Sequence, residues 1–201
     1  MISTCLFDLG GVAVEVETDR MLHQLSLLTR VPLEEVERAV YDADWLLPLE
    51  LGRITPEAYY GRLQQVLKVP WSFEQFVRNW NDTLREYRPV VSLMEQLRRR
   101  HQVIALTNTN VLHWRHMRSQ FTSLGAVFHD WVASCDVGLR KPDPEIYRFA
   151  LSRTMARPEE TVYVDDRPEM VEAGRSVGLR AIRYESSRQL EDALRAAGAT
   201  L

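Results

Sequence analysis

Apolar residues recur along this chain with two different periods, and the change between them divides it. Residues 3–7 (Ser-Thr-Cys-Leu-Phe) form a short strand-like run that stops at Asp8 and the Gly10-Gly11 pair, the pattern of a buried strand ended by a glycine turn. From about 15 to 87 the spacing turns helical. Tyr59, Leu63, Val66 and Leu67 fall on one stripe, and Phe73, Phe76, Val77, Trp80 and Leu84 on another. Leu22, Leu25 and Leu28, then Leu33, Val36 and Val40, form two weaker stripes. Thr55 ahead of Pro56 and Ser72 ahead of Phe73 are suitable N-caps. The block therefore predicts four helices around a small core of their own.

Beyond Pro89 helices and strands alternate. Strands are expected at 103–106, 131–133, 161–164 and 180–183, separated by helices near 89–100, from 110, from 143 to about 155, and at 168–177. A terminal helix is expected at 187–197. Such alternation predicts a doubly wound, Rossmann-like parallel sheet in an α/β fold, with helices on both faces. The first strand joins that sheet. The organisation expected is thus a core domain of residues 1–14 and 88–201, with residues 15–87 inserted as a helical cap domain.

Composition narrows the partners. The chain of 201 residues is 45% hydrophobic and 26% charged, with a formal net charge of −3. Those values suit a globular protein and leave no electrostatic footprint for nucleic acid or an anionic membrane. The run Arg98-Arg99-Arg100-His101 sits where a helix should end, and cations there complement the helix dipole. No apolar run approaches the roughly 20 residues that cross a bilayer. The start of the chain lacks the pattern of a secretory signal, and Cys5 and Cys135 are the only cysteines. A cytoplasmic location is the expectation, as a monomer or weak homodimer.

Ligands of open parallel sheets bind beyond the carboxyl ends of the strands, so the residues delivered there matter most. The first strand delivers Asp8-Leu9-Gly10-Gly11, and the second Thr107-Asn108-Thr109-Asn110. The third leads to Gly138-Leu139-Arg140-Lys141-Pro142, and the fourth ends in Asp165-Asp166. Each group has an ordinary explanation alone: Asp8 as a turn residue, Asp165-Asp166 as a helix cap, Lys141 as a surface lysine, Thr107 as a local strand closure. Three carboxylates, a hydroxyl, an amide and a lysine at one edge point instead to a charged-ligand site.

The four segments FDLGGV, LTNTN, GLRKPDPEIY and VYVDDRPEMVEAG, in that order, resemble the motifs of the haloacid dehalogenase superfamily. The resemblance is to its phosphatase branch with a helical cap, and within it to the bacterial α-glucose-1-phosphate phosphatases. It implies a hydrolase of a small phosphate monoester, best a sugar phosphate such as a hexose 1-phosphate. Asp8 would be the nucleophile forming an aspartyl-phosphate, and Mg²⁺ the cofactor. The Asp8 carboxylate, the Gly10 carbonyl and Asp166 would ligate the metal, with Asp165 acting through water or behind them. Thr107, the Asn108 backbone and Lys141 would hold the phosphoryl oxygens. Most such phosphatases carry an acid/base Asp two residues after the nucleophile, where this chain has Gly10. Glu15, Glu17 and His113 are the substitutes considered. Substrate choice would fall to the cap, where Trp45, Glu50, Arg53 and Trp80 stand, and to Asn110, His113 and Trp114. Two alternatives stay open: a metal-independent dehalogenase using the same Asp8, and a non-catalytic binder of phosphorylated ligands.

Overall fold

The computed structural model describes residues 1–201. A parallel sheet of five strands carries the site: β1 (Thr4–Phe7), β4 (Gln102–Thr107), β5 (Asp130–Ala133), β6 (Thr161–Asp165) and β7 (Arg180–Arg183), in the order β5-β4-β1-β6-β7. Two further short strands, β2 (Val14–Val16) and β3 (Leu84–Glu86), pair antiparallel with each other. Between them lie α1 (Asp19–Thr29), α2 (Leu33–Val40), α3 (Ala43–Glu50), α4 (Pro56–Leu67) and α5 (Phe73–Asn81). The remaining helices are α6 (Arg88–Leu97), α7 (Val111–Gln120), α8 (Thr122–Val127), α9 (Ser134–Val137), α10 (Pro144–Ser152), α11 (Pro168–Ser176) and α12 (Ser187–Ala196).

The sheet is buried on both faces, which is why its central strands read as unbroken apolar runs. Cys5, Phe7, Val103, Ala105, Val162 and Val164 face one layer of core. Leu6, Ile104, Leu106 and Tyr163 face the other, as the period-two alternation of a strand requires. β1 has parallel neighbours on both sides, Leu6 pairing with Ile104 of β4 and with Tyr163 of β6. The chain departs from β1 in both directions across the sheet, and a crevice opens at the carboxyl ends of β1, β4 and β6.

The helices between β2 and β3 bury their own core, with Met21, Leu25, Val36, Tyr59, Leu63 and Phe76 at its centre. Their helical stripes follow the expected spacing with three differences. Val66 and Leu28 are 43% and 50% exposed, and Met21 takes the buried place in α1. Leu84 does not continue α5. That helix ends at Asn81, Thr83 Oγ1 donates to the Trp80 carbonyl, and Leu84 enters β3 and the sheet core. A fifth short helix, α3, joins the four anticipated; its Leu46-Leu47-Pro48 run carries no helical period, but the Asp42 carboxylate accepts from the Asp44 N–H and starts it. The β2/β3 ribbon is also new, because three residues are too few for alternation to show. No helix is long and apolar enough to cross a membrane.

Candidate active site

Asp8 is the first residue past β1, and its N–H still donates to Val164 O at 2.9 Å, which fixes it between β1 and β6. The chain then turns sharply. The N–H groups of Val12, Ala13 and Val14 all point at the Leu9 carbonyl, at 3.1, 2.9 and 2.8 Å. Gly11 has φ +77°, and a Cβ there would overlap the Asp166 carboxylate, so this glycine brings two strand-end loops into van der Waals contact. Gly10 is different. A Cβ there would meet only Val16 Cγ2, at 3.6 Å, so space does not require glycine.

Lys141 is 1% exposed and lies between two carboxylates. Its Nζ stands 2.9 Å from Asp8 Oδ1 and 2.6 Å from Asp165 Oδ2. A lysine so deep in a protein is tolerated only when paired. Asp165 is fully committed to this arrangement: Oδ2 also accepts from the Tyr163 hydroxyl, and Oδ1 from the Arg167 N–H at 2.9 Å. The Lys141 backbone is clamped as well. Asn108 Nδ2 donates to Lys141 O, and Asn108 Oδ1 accepts from Lys141 N, both at 2.9 Å. The Asn108 side chain thus ties the end of β4 to the lysine loop. Ser134 ties β4 to β5 in the same way, accepting from Thr109 N at 2.9 Å and donating to Thr109 O at 3.1 Å.

Carboxylate oxygens of Asp8, Asp165 and Asp166 lie within 4.8 Å of one another. One buried ammonium stands among three acids. Burial raises the Asp8 carboxyl to about 6, against the pull of Lys141 and with added repulsion from Asp165. Asp166 is raised too, by burial first and Asp165 second, and its Oδ1 is buried without a hydrogen-bond partner. An all-oxygen, anion-rich cradle with an orphaned buried carboxylate oxygen fits a hard divalent cation. Thr107, 2% exposed, stands beside it at the end of β4.

Two cavities meet here. One of about 220 Å³ is polar and is lined by Asp8, Gly11, Arg140, Lys141, Asp166 and Arg167. The other, about 240 Å³, lies between the sheet edge and the inserted helices and includes Thr107, Thr109, His113, Trp80 and Met21. Gly10, Glu50 and Asn108 line both.

Residues 2–178 match the family model of the haloacid dehalogenase-like hydrolases. The chain belongs to this hydrolase family. It is 24% identical over 193 residues to D-ribitol-5-phosphate phosphatase of Bacteroides thetaiotaomicron, covering 92% of this chain and 93% of that one. It is 31% identical over 183 residues to pyrophosphatase PpaX of Bacillus velezensis, covering 89% and 81%. Among solved structures, a HAD family enzyme from Bacteroides thetaiotaomicron in complex with magnesium and inorganic phosphate superposes with a TM-score of 0.81 at 23% identity, over 92% and 95% of the two chains. A HAD-like hydrolase from Porphyromonas gingivalis gives 0.84 at 24% identity, over the full length of both.

In this hydrolase Asp8, Gly10, Thr107, Asn108, Lys141, Asp165 and Asp166 gather at one sheet edge, and of the other residues singled out in the sequence Glu50 lines both cavities and Trp80, Asn110 and His113 line the larger one. Glu15 and Glu17 are exposed and line neither cavity. His113 does line the larger one, but its Nε2 bonds the Trp80 carbonyl at 3.0 Å, its ring stacks on Trp80, and burial lowers its pKa to about 4. It is neutral at physiological pH. Asn110 is spent capping α7, accepting from the Leu112 and His113 N–H groups. Trp45 packs on the helical core under Arg62, Trp114 lies under Arg118, and Arg53 is exposed. Tyr163 and Arg140 carry site contacts that the sequence did not mark. Tyr163 reads as one more apolar strand position. Arg140 is visible only as a neighbour of Lys141, yet its Nη2 reaches Glu50 Oε2 at 3.1 Å.

Proposed function

We propose that this chain is a magnesium-dependent phosphatase that transfers the phosphoryl group of a small phosphate monoester to Asp8 and then to water. The observation that carries the reading is the buried Lys141 held between Asp8 and Asp165, with Asp166 beside them. Asp8 is the nucleophile, and its carboxylate is aimed by Lys141 rather than free to rotate. Asp8, Asp166 and the Gly10 carbonyl are the protein ligands for Mg²⁺. Asp165 sits behind them as the anchor of Lys141 and Arg167. When bound, the ion screens the repulsion between the dianionic ester and the carboxylates and stabilises charge on the phosphoryl oxygens. Lys141 neutralises the remaining phosphoryl charge, and Thr107 and the Asn108 N–H donate to its oxygens. The inserted helices close the leaving-group side and exclude bulk water.

Three crowded carboxylates weigh against a metal-independent dehalogenase, in which they would only repel one another beside the nucleophile. The substrate proposed is a sugar or polyol phosphate, such as a hexose 1-phosphate. Its support is the modest size of the cavity beyond Thr107 and the polyol phosphate named for a relative. A panel of phosphorylated metabolites, assayed for phosphate release with Mg²⁺ and with chelator, tests the function. Release that needs Mg²⁺ and is lost in Asp8→Asn is expected. Chloride release from 2-haloacids in the presence of chelator would overturn it.

A further inference from the structure

Departure of an aliphatic alcohol from phosphorus requires a proton at the leaving oxygen, and entry of water requires one to be removed. Position 10 carries no side chain for this. The larger cavity, where the leaving group must sit, offers few titratable groups. His113 is neutral and bonded to the Trp80 carbonyl. The Tyr41 hydroxyl donates to Thr18 Oγ1 at 2.9 Å. Lys141 lies on the other side, locked between Asp8 and Asp165. Glu50 alone brings a carboxyl group to both cavities.

Glu50 is the last residue of α3, and its setting is built. Gly52, at φ +65°, packs so closely on the Cys135 carbonyl that a Cβ there would overlap it, which docks the end of α3 onto α9 of the core. Arg140 Nη2 engages Glu50 Oε2, while Oε1 makes no bond within the chain. The Glu50 side chain is 21% exposed. Burial raises its pKa, opposed by Arg140 and more weakly by Arg167. Tyr59 from α4 and Cys135 from α9 are the other titratable groups that feel its charge.

We propose that Glu50 is the general acid and base of the reaction, supplied from the inserted helices in place of a group at position 10. The assignment rests on the phosphatase reading above. In the first half-reaction Asp8 forms a bond to phosphorus and the bond from phosphorus to the ester oxygen breaks. That bond's electron pair stays on the leaving oxygen, which takes the Glu50 proton and departs as an alcohol. In the second, the Glu50 carboxylate takes a proton from water as the water oxygen bonds to phosphorus. The Asp8–phosphorus bond breaks, its electron pair returns to the Asp8 carboxylate, and inorganic phosphate leaves.

The test compares kcat/KM on two esters of similar size: an alkyl phosphate, whose alkoxide needs a proton, and an aryl phosphate with an electron-poor phenol, which departs without one. Glu50→Gln should lower kcat/KM on the alkyl ester by ~10²–10⁴-fold and on the aryl ester far less. The alkaline limb of the alkyl-ester pH profile should vanish with it. Glu50→Asp should recover part of the alkyl-ester rate. The aryl-ester rate reports that the site is folded. Equal losses on both esters in both variants, or no loss on the alkyl ester, would overturn the assignment while leaving the phosphatase reading in place. A wild-type chain inactive on both esters would overturn both.

Discussion

Lys141 shows how one residue sets the chemistry of its neighbours. Its ammonium is the only buried positive charge among three acids, and both of its partners are themselves buried. Removing one member of a buried ionic network leaves its partners uncompensated, at a cost of about 3–5 kcal/mol. Lys141→Met should therefore lower the denaturant midpoint of the metal-free protein by a corresponding amount, and added Mg²⁺ should return part of the loss. Asp8 behaves oppositely. Its folded pKa of about 6 lies above the ordinary value of 3.8, so the stability contributed by its protonated form is present below the ordinary value. It is lost as pH rises through about 6. In chelator, Asp8→Asn should match wild type in stability at about pH 4. It should exceed wild type at neutral pH by on the order of 1–3 kcal/mol, while abolishing turnover. Thermal unfolding of both proteins across that pH range checks the sign. Gly10 has room for a side chain, and Gly10→Asp in the Glu50→Gln background should recover some alkyl-ester turnover, read as kcat/KM.

At the scale of elements, β1 and β6 were legible as apolar runs closed by aspartates, and β4 and β5 as apolar runs closed by polar residues; β7, only Ala181-Ile182 between two arginines, was legible from its place in the alternation of strands and helices. Four of the five inserted helices were legible because each presents an apolar stripe, and two have explicit N-caps at Thr55 and Ser72. The rest was hidden for physical reasons. α3 owes its helix to Asp42 and to docking at Cys135, a contact 83 positions from Gly52 along the chain. The β2/β3 ribbon pairs residues separated by the whole insert. The strand-end motifs marked Asp8, Thr107, Lys141 and Asp165-Asp166, which the fold brings to one edge, but no local pattern could disclose that Asn108 clamps the Lys141 backbone or that Arg140 reaches Glu50. Those contacts make two glycines informative. Gly11→Ala must displace the Asp166 carboxylate, and is expected to weaken Mg²⁺ binding by calorimetry more than it lowers stability. Gly52→Ala must lift the end of α3 from α9 and should lower kcat/KM selectively on alkyl esters, following Glu50.

For the whole molecule, the sheet supplies a rigid edge where three strands meet, and the inserted helices supply the wall facing it. With the Mg²⁺ site proposed at that negatively charged edge, the folded state is expected to be more stable with the ion than without it. Saturating Mg²⁺ at a hundredfold over its dissociation constant should add about 2.7 kcal/mol, visible as a rise of several degrees in the melting temperature. That rise should shrink in Asp166→Asn. In the proposed reaction the phosphoryl group passes through Asp8. A single-turnover reaction with a phosphate ester radiolabelled in its phosphoryl group, quenched in acid and analysed by peptide mapping, measures it most directly. Mg²⁺-dependent label is expected on the peptide containing Asp8 and absent from Asp8→Asn. Phosphate released with no label ever on the chain, or label retained by Asp8→Asn, would contradict it.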